Sequence, residues 1–251
     1  MLLDKTVLVT GASSGIGEAC ARRFAAAGAR LLLCARRAGR LEALAAELDT
    51  DVHAFALDVR DRDAVGAAVA ALPEGWRDVD VLVNNAGLAA GFGPLPDNDP
   101  DDWDRMLDTN VKGLLHVTRA VVPGMVARGG GHVINVGSVA GHETYPGGAV
   151  YCASKAAVDR ITKGLRLDLL GSGVKVSTVD PGLVETEFSV VRFGGDADAA
   201  ARVYHGMTPL TADDVAETVV WVADRPAHVQ VAEVLLFPAD QAAATAVHRR
   251  R

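Results

Sequence analysis

The sequence predicts a single α/β domain in which helices cover both faces of a doubly wound sheet of about seven parallel strands. Short runs rich in Val, Leu and Ile alternate with longer helical patterns along the chain. Such near-continuous apolar strands are typical of a sheet that is buried on both faces. Strands that alternate with helices imply right-handed crossovers between parallel neighbours. Because no Pro/Ser-rich linker interrupts this alternation, we expect one domain over residues 1–251.

The individual elements follow from these runs. Seven apolar runs are predicted as strands, in chain order Thr6–Thr10, Arg30–Ala35, Val52–Leu57, Val79–Asn84, Val133–Val136, Val174–Val179 and Val234–Phe237. Helical patterns lie between the first four strands, over Glu18–Ala27, Arg40–Leu48 and Arg62–Leu72. Gly28 directly follows the first of them, as is typical of a helix end. Segments of helix length separate the later strands.

Two segments depart from this rhythm. Residues Ala89–Pro100 are rich in Gly, Pro and Asp and are predicted as a loop. Residues Val184–Met207 lie between a Pro-Gly turn and the next helix start, and they contain Phe188, Arg192 and Tyr204. A connection of this length in a compact fold is usually functional. We therefore expect 184–207 to be a lid or a substrate-binding segment.

Composition excludes several classes of protein. The chain is 49% apolar and 23% charged, which is ordinary for a globular domain. Its net charge of -7 gives no overall field for nucleic acid or for anionic membranes. No run reaches the length of a membrane span, and the N-terminus lacks the pattern of a signal peptide. The three cysteines and seven histidines are dispersed, so we expect no metal site and a reducing, cytoplasmic location.

A glycine-rich turn follows the first strand. The chain reads Thr10-Gly11-Ala12-Ser13-Ser14-Gly15-Ile16-Gly17, and a helical pattern begins at once. Backbone N–H groups at a helix N-terminus bind anions such as a pyrophosphate. The spacing differs from G-x-G-x-x-G, and no Lys-Ser/Thr follows the last glycine, so the turn is not a P-loop. The alternative is a tight turn that merely requires small residues.

The end of the second strand indicates which dinucleotide binds. An acidic residue there would bind the ribose of NAD, whereas an arginine accommodates the 2′-phosphate of NADP. The chain has Arg36 and Arg37 at this point, and its first acid is Glu42. A guanidinium offers two parallel hydrogen bonds to a phosphate, and Ser13 and Ser14 could donate as well. We therefore predict NADP(H), the alternative being a solvated basic pair.

Tyr151 and Lys155 stand four residues apart at the head of a long helical pattern, which puts them on one helix face. An ammonium near a phenol lowers the pKa of the tyrosine, and such a tyrosine can exchange a proton with an alcohol or carbonyl oxygen. Tyr-x-x-x-Lys alone is a weak signal. Ser138 strengthens it, because it follows the fifth strand at the sheet edge where α/β proteins bind ligands.

Together these motifs resemble the short-chain dehydrogenase/reductase family over almost the whole chain. The family's motifs occur in order as the turn at 10–17, Asn84-Asn85-Ala86-Gly87, Asn110, Ser138, Tyr151 with Lys155, and Pro181-Gly182. Within the family the chain is most similar to bacterial NADP-dependent 3-hydroxy acid (serine) dehydrogenases, for example over Thr186-Glu187-Phe188-Ser189 and Val191-Arg192-Phe193. The resemblance implies a Rossmann fold and a homotetramer.

The resemblance also implies roles for individual residues. Tyr151 would be the general acid or base, Lys155 would lower its pKa and bind the nicotinamide ribose, and Ser138 would hold the substrate oxygen. Asn110 would position a water that relays protons. The residues implied to bind NADP(H) are Gly11, Ser13, Ser14, Gly15, Ile16, Gly17, Arg36, Arg37, Asp58, Val59, Asn85, Ala86, Gly87, Tyr151, Lys155, Pro181, Gly182, Val184 and Thr186.

The implied reaction interconverts a hydroxyl and a carbonyl group on a small 3-hydroxy acid. Arg192 could bind the substrate carboxylate, or it could be a surface arginine paired with Asp196 or Glu187. His142 could be a polar group of the substrate pocket, or a surface histidine whose hydrogen bonds are satisfied elsewhere. At His142-Glu143 the relatives' pattern has a small polar residue followed by Trp. Alternative functions are a secondary-metabolism aldehyde reductase of the clavulanate dehydrogenase type and a non-catalytic NADP-binding regulator.

Overall fold

Seven parallel strands form one sheet in the computed structural model, which describes residues 2–250. Including two short strands outside this sheet, the strands within residues 2–250 are β1 (Thr6–Thr10), β2 (Arg30–Ala35), β3 (Val52–Ala56), β4 (Val81–Asn84), β5 (Gly131–Val136), β6 (Val174–Pro181), β7 (Val184–Glu185), β8 (Leu210–Thr211) and β9 (Glu233–Leu236). Their order in the sheet is β3-β2-β1-β4-β5-β6-β9, while β7 and β8 pair separately. The prediction of a doubly wound parallel sheet is confirmed.

Helices lie on both faces of this sheet. They are α1 (Gly15–Ala26), α2 (Ala38–Glu47), α3 (Arg62–Ala70), α4 (Pro100–Leu107), α5 (Leu114–Arg128), α6 (Ala149–Asp168), α7 (Glu187–Arg192), α8 (Ala197–Arg202) and α9 (Ala212–Ala223). A π-helical turn, Asp108–Gly113, joins α4 to α5. None of the helices within residues 2–250 is both long and apolar enough to cross a membrane.

The core divides into two layers because alternate residues of a strand point to opposite faces. In β1, Val7 and Val9 pack with Phe24 of α1 and Val215 of α9 on one face of the sheet. Leu8 points to the other face, where the cluster includes residues of α3 and α5. Both clusters are closed to solvent, which explains why the central strands read as continuous apolar runs.

The differences from the predicted bounds lie at the ends of elements. Helix α1 begins at Gly15, inside the glycine-rich turn, rather than at Glu18. Strand β5 begins at Gly131, and β6 continues to Pro181. The segment 184–207 is not a plain loop, since it contains β7, α7 and α8. Local sequence defines such ends poorly, because the last hydrogen bonds of a strand depend on its neighbour.

The strand order reverses between β1 and β4, and open α/β sheets bind ligands at this crevice beyond the carboxyl ends of their strands. Side chains join the two sides of the crevice. The Thr10 hydroxyl accepts the N–H groups of Asn85 and Ala86, both at 3.0 Å. The Asn85 amide donates to the Thr10 carbonyl at 2.9 Å. The glycine turn and the Asn-Asn-Ala-Gly loop are therefore fixed side by side.

Candidate active site

The glycine-rich turn brings backbone N–H groups into this crevice. Gly11 and Gly15 have φ angles of +67° and +56°, a left-handed conformation that favours glycine. A Cβ on Gly17 would overlap the Gly11 carbonyl oxygen, so only glycine allows this closeness. Helix α1 starts here, and the side chain of its N-cap residue Ser14 makes no capping bond. The first N–H groups of the helix are thus suited to an anion.

Arginines gather at the end of β2, beside that turn. Arg37 donates to the hydroxyls of Ser13 at 3.1 Å and Ser14 at 2.6 Å. It also pairs with Glu187 of α7 at 3.0 Å. Arg40, which sequence reasoning missed, pairs with the other oxygen of Glu187 at 2.7 Å. Glu187 is therefore the partner of these two arginines and not of Arg192.

Two of the residues implied to bind NADP(H), Asp58 and Val59, lie beyond β3. Asp58 pairs with Arg60 at 2.6 Å, and the pKa of its carboxyl is lowered by Arg60 first and also by Arg36. Val59 is buried next to it. Arg36 itself is exposed at the mouth of the crevice. Sequence reasoning had no signal for Arg60, because its role depends on the turn that follows β3.

Asn110 lies in the π-helical turn and is almost completely buried. Its side-chain amide donates to the Leu88 carbonyl at 2.8 Å and to the Ser154 hydroxyl at 3.0 Å, and its oxygen accepts the Leu88 N–H at 2.8 Å. Its side chain thus braces the 84–88 loop against α6. A Cβ on Gly87 would lie 3.2 Å from the Asn110 oxygen and 3.7 Å from Lys155 Nζ, which places these two side chains under the same loop.

Ser138 is the second residue after β5, where a short helical turn begins. Its hydroxyl accepts the Ala140 N–H at 3.1 Å and donates to the Pro181 carbonyl at 3.5 Å. Lys155 donates to the Val136 carbonyl at 2.9 Å, just ahead of Ser138. Strand β5, the start of α6 and the end of β6 therefore meet at one point.

Burial dominates the titration of the central pair. Burial raises the pKa of the Tyr151 phenol, and Tyr145 adds to this rise, while the Ser138 hydroxyl and the Arg192 guanidinium oppose it. Burial lowers the pKa of Lys155 to about 8, and Asp180 raises it. The sequence predicts Lys155 as the cation that lowers the pKa of Tyr151; in this structure the opposing cation is Arg192.

Arg192 lies at the end of α7, above the Tyr151 ring. Its guanidinium carbon is 4.8 Å from the centre of the Phe92 ring, 5.2 Å from that of Tyr145 and 5.7 Å from that of Tyr151. Distances within about 6 Å allow cation–π attraction. One guanidinium nitrogen donates to the Tyr145 hydroxyl at 2.9 Å. Its buried Nε finds no hydrogen-bond partner among residues 2–250, so a donor remains for a ligand.

His142 does not line the cavity that holds these groups. Its Nε2 lies 3.1 Å from the Asp180 carboxylate, and its Nδ1 lies 3.7 Å from the Glu233 carboxylate. Glu143 accepts the N–H of Ala244 at 2.8 Å and so fixes the C-terminal segment. The structure thus places His142 and Glu143 behind the site rather than in it.

One cavity of about 1020 Å³ contains the predicted cofactor and substrate residues together. Arg36 and Arg37 line one end, the glycine turn and Thr186 line the middle, and Ser138 and Arg192 line the other end. All residues expected to bind NADP(H) border it except Gly17, and Asn110, which was expected to take part in proton relay, does not border it either. The volume, the cationic end and the N–H groups between fit a dinucleotide phosphate with a small molecule beside it.

The C-terminal segment also lines this cavity, which sequence reasoning missed. Ala244, Thr245, Val247 and Arg249 contribute to its wall. Arg249 donates to the carbonyls of His205 at 2.5 Å and Val203 at 3.0 Å, so that it ties the segment to the end of α8. No motif in the sequence marks these contacts, because they join distant parts of the chain.

Comparison with known proteins agrees with this geometry. Residues 5–193 match the short chain dehydrogenase family. The chain is 51% identical over 245 residues to the NADP-dependent 3-hydroxy acid dehydrogenase YdfG of Salmonella typhi, covering 97% of this chain and 99% of that protein. It is 51% identical over 243 residues to sulfoacetaldehyde reductase 2 of Chromohalobacter salexigens, covering 96% of each chain.

A solved structure is similar over the same length. The closed form of a serine dehydrogenase complexed with NADP+ superimposes with a TM-score of 0.94 and 46% identity, covering 98% of this chain and all of that one. The similarity therefore covers nearly the whole chain.

Proposed function

Because the chain belongs to the short-chain dehydrogenase family, we propose that it is an NADP-dependent oxidoreductase that interconverts a hydroxyl and a carbonyl group on a small 3-hydroxy acid. The relatives named as a 3-hydroxy acid dehydrogenase and a serine dehydrogenase support this reading. The observation that carries it is the position of Arg192, whose guanidinium lies 5.7 Å from the centre of the Tyr151 ring. It puts an anion-binding group beside the acid–base residue.

NADP(H), when bound, supplies or accepts the hydride, and the protein supplies placement and charge. The glycine turn offers N–H groups for the pyrophosphate, and Arg36 and Arg37 offer charge for the 2′-phosphate. Arg37 already donates to Ser13 and Ser14, so its guanidinium is oriented before the cofactor arrives. Pro181, whose carbonyl accepts the Ser138 hydroxyl, borders the cavity with Gly182 and Val184, and Thr186 borders it beside Gly15.

The remaining chemistry is proton transfer by residues of this chain. Ser138 orients the reacting oxygen by a hydrogen bond, and the Tyr151 phenol donates a proton to that oxygen in reduction or removes it in oxidation. Lys155, held by the Val136 carbonyl, brings a positive charge to the same end of the cavity. A phenol that is buried in this way exchanges its proton with the substrate rather than with bulk water.

The negatively charged end of the substrate is assigned to Arg192. A small hydroxy acid has few apolar atoms, so its orientation depends on its carboxylate, and a guanidinium matches a carboxylate with two parallel hydrogen bonds. The aromatic rings of Phe92 and Tyr145 hold the guanidinium, and Tyr145 fixes it further through its hydroxyl. We propose the segment 184–207, which supplies Arg192, as the substrate-binding segment.

A second candidate substrate is an aldehyde that carries a sulfonate. It is favoured by the relative named sulfoacetaldehyde reductase 2, which is as similar to this chain as the 3-hydroxy acid dehydrogenase is. A sulfonate, like a carboxylate, is an anion with several acceptor oxygens that a guanidinium can bind. Both candidates therefore predict the same cation and the same acid–base group.

We further propose a cytoplasmic homotetramer. Its three cysteines, which are free and buried, suit a reducing compartment. The exposed side chains of Leu115 on α5 and of Leu167 near the end of α6 would suit an interface between copies of the chain. Light scattering coupled to size-exclusion chromatography tests this; a mass of one or two chains would contradict it.

The function is tested by a substrate panel with purified protein. The panel contains 3-hydroxy acids with NADP+, and with NADPH it contains an aldehyde sulfonate and neutral aldehydes of matched size. We expect activity on the anionic substrates and a preference for NADP(H) over NAD(H). Activity confined to bulky neutral carbonyls would favour the alternative of a reductase in secondary metabolism. Binding of NADPH with no turnover of any substrate would favour a non-catalytic regulator.

A further inference from the structure

A buried carboxylate lies directly behind the residues that carry the reaction. Asp180 is the penultimate residue of β6, and its side chain is only 2% exposed. One of its oxygens accepts the Thr178 hydroxyl at 2.7 Å, and the other lies 3.1 Å from His142 Nε2. A carboxylate is costly to bury unless its charge and hydrogen bonds are satisfied. Its presence among apolar strands therefore calls for a reason.

Asp180 packs on the turn that presents Ser138. A Cβ on Gly137 would overlap the Asp180 carboxylate, so the turn and the carboxylate are in direct contact. The Gly137 N–H donates to the Val179 carbonyl at 2.9 Å, and the Ser138 hydroxyl donates to the Pro181 carbonyl at 3.5 Å. Val179 and Pro181, the neighbours of Asp180, thus hold the Gly137 backbone and the Ser138 side chain in place.

The same turn receives the catalytic lysine. Lys155 donates to the carbonyl of Val136, the residue before Gly137, at 2.9 Å. Lys155 is buried, and burial lowers its pKa to about 8, whereas Asp180 raises that pKa. The carboxylate therefore acts on the ammonium across the turn. Loss of its charge would make the protonated form of Lys155 less stable.

His142 links Asp180 to charged groups farther from the cavity. Its Nδ1 lies 3.7 Å from Glu233 of β9, whose other oxygen is 3.3 Å from Lys163 of α6. Lys163 also pairs with Asp159 at 2.7 Å. The ionisable groups that face Asp180 and His142 are thus Lys155, Asp159, Lys163 and Glu233. The imidazole lies between the two nearer carboxylates, with Nε2 beside Asp180 and Nδ1 beside Glu233.

We propose that Asp180 is a positioning residue for the reaction and that His142 supports it: together they fix the Gly137–Ser138 turn and supply the counter-charge of Lys155. The inference rests on the proposed function, in which Ser138 and Lys155 take part in proton transfer. Neither Asp180 nor His142 touches the substrate.

Replacement of the charge tests the electrostatic half of the proposal. Asp180→Asn keeps the shape of the side chain and removes its charge. Since one nearby opposite charge shifts a pKa by about one unit or more, the pH at which Lys155 loses its proton should fall by about one unit. Titrations of NADPH fluorescence at a series of pH values report this, because Lys155 is assigned to the nicotinamide ribose. The pH profile of kcat on the best substrate should shift in the same direction.

A matched control separates this effect from general damage. Asp159→Asn changes a second buried acid, one that lies on the same helix as Lys155 but pairs with Lys163. It should leave the pH dependence of NADPH binding where it is in the wild type. If Asp180→Asn and Asp159→Asn shift that dependence equally, or neither shifts it, Asp180 is not the counter-charge of Lys155.

The role of His142 is tested by a pair of variants. His142→Ala removes the group that holds Asp180, and because displacements of about 1 Å can cost 100-fold in rate, kcat should fall at least tenfold with KM little changed. His142→Gln offers an amide donor to Asp180 and should recover most of the rate. Equal losses in both variants, or none in either, would overturn the support role. These variants keep the proposal testable even if Asp180→Asn does not fold.

The outcome is distinct from failure of the proposed function. If the wild type turned over no anionic substrate, that function would be wrong, yet the NADPH titrations would still show whether Asp180 acts on Lys155. If the wild type were active and the titrations of Asp180→Asn matched it, the positioning role alone would fail.

Discussion

At the scale of single residues, the chemistry of the site depends on how the positive charges of Arg192 and Lys155 are placed near Tyr151. Arg192 is enclosed by aromatic rings and one hydroxyl, which fixes its direction without neutralising it. Lys155 is bound to a backbone carbonyl and faces the Asp180 carboxylate through the turn at Gly137. We therefore propose that Arg192 binds the substrate anion and also opposes the rise in the pKa of Tyr151, while Lys155 acts on the proton transfer.

Tyr151→Phe tests the acid–base assignment. The change keeps the ring, its contact with Phe188 at 5.5 Å between ring centres, and the volume of the site. General acid catalysis contributes about 10²–10⁴-fold, so kcat should fall by at least that factor. Fluorescence titration should show that NADPH still binds. Near-full turnover by this variant would mean that another group transfers the proton.

Arg192→Ala tests how the substrate is recognised. A hydrogen bond to a charged group is worth about 1.5–3 kcal/mol, so kcat/KM for 3-hydroxy acids and for an aldehyde sulfonate should fall at least tenfold. Neutral aldehydes should lose much less, because they offer no anion and are affected only through the pKa of Tyr151. Arg192→Lys keeps the charge but loses the planar guanidinium, so its kcat/KM on the anionic substrates should lie between those of the wild type and of Arg192→Ala. Equal losses on charged and neutral substrates would show that Arg192 does not recognise the anion and acts instead through Tyr151 or through the order of the segment 184–207.

At the scale of elements, the end of β2 and the β1–α1 turn act as one unit. Arg37 joins them through Ser13 and Ser14, and it joins both to α7 through Glu187. Helix α7 is thereby attached across the crevice at its N-terminal end, while its C-terminal end presents Arg192 to the substrate side. The short helix thus links the arginines at the end of β2 to the part of the cavity that Arg192 lines.

This unit carries the cofactor prediction. Replacing Arg36 by Asp and Arg37 by Ala should weaken NADP+ binding at least tenfold, because two charged hydrogen bonds of about 1.5–3 kcal/mol each are lost. The new aspartate should in turn favour NAD+, because its carboxylate can accept a hydrogen bond from the ribose 2′-hydroxyl. Dissociation constants for both cofactors measure this. Arg62→Ala, an exposed arginine paired with Asp63, is the control and should change neither. A wild type that binds NAD+ as tightly as NADP+ would refute the assignment.

The central strands and the glycine turn could be predicted because local pattern determines them. Continuous apolar runs specify strands buried on both faces, and the spacing of Gly11, Gly15 and Gly17 specifies a turn whose backbone packs too closely for a side chain. The segment 184–207 could not be resolved in the same way. Its short helices depend on contacts such as that of the Tyr204 hydroxyl with the Val184 carbonyl at 2.7 Å. Such contacts exist only after folding.

At the scale of the whole molecule, residues between 241 and 249 form part of the cavity wall. Gln241 is buried and accepts the Leu183 N–H at 2.8 Å, directly beside Gly182. The backbone N–H of Arg250 donates to the Gly206 carbonyl at 2.7 Å. Residues near 183, near 206 and between 241 and 250, which are distant in the sequence, thus meet here. This explains why Tyr145, Phe92 and the C-terminal segment were missed, since no spacing in the sequence relates them.

The sheet also contains a buried histidine whose pKa differs between the folded and the unfolded state. His132 of β5 is 3% exposed, and its Nε2 lies 2.7 Å from the Ser177 hydroxyl. Burial lowers the pKa of His132 to about 3, and the charge of Lys175 lowers it further. In the unfolded chain a histidine has a pKa near 6.5. The unfolded state therefore binds a proton that the folded state refuses between about pH 6.5 and about pH 3.

The free energy of unfolding should consequently decrease as the pH falls through this window, by at most about 1.4 kcal/mol per pH unit from this one group. His132→Val removes the titrating ring and leaves the Ser177 hydroxyl bound to the Val231 carbonyl at 2.6 Å. Urea unfolding followed by circular dichroism between pH 4.5 and pH 7.5 should show a shallower decline for this variant than for the wild type. His228→Asn, which changes an exposed histidine, is the control and should keep the wild-type slope. Parallel declines in all three proteins would show that other groups set the acid sensitivity of the fold.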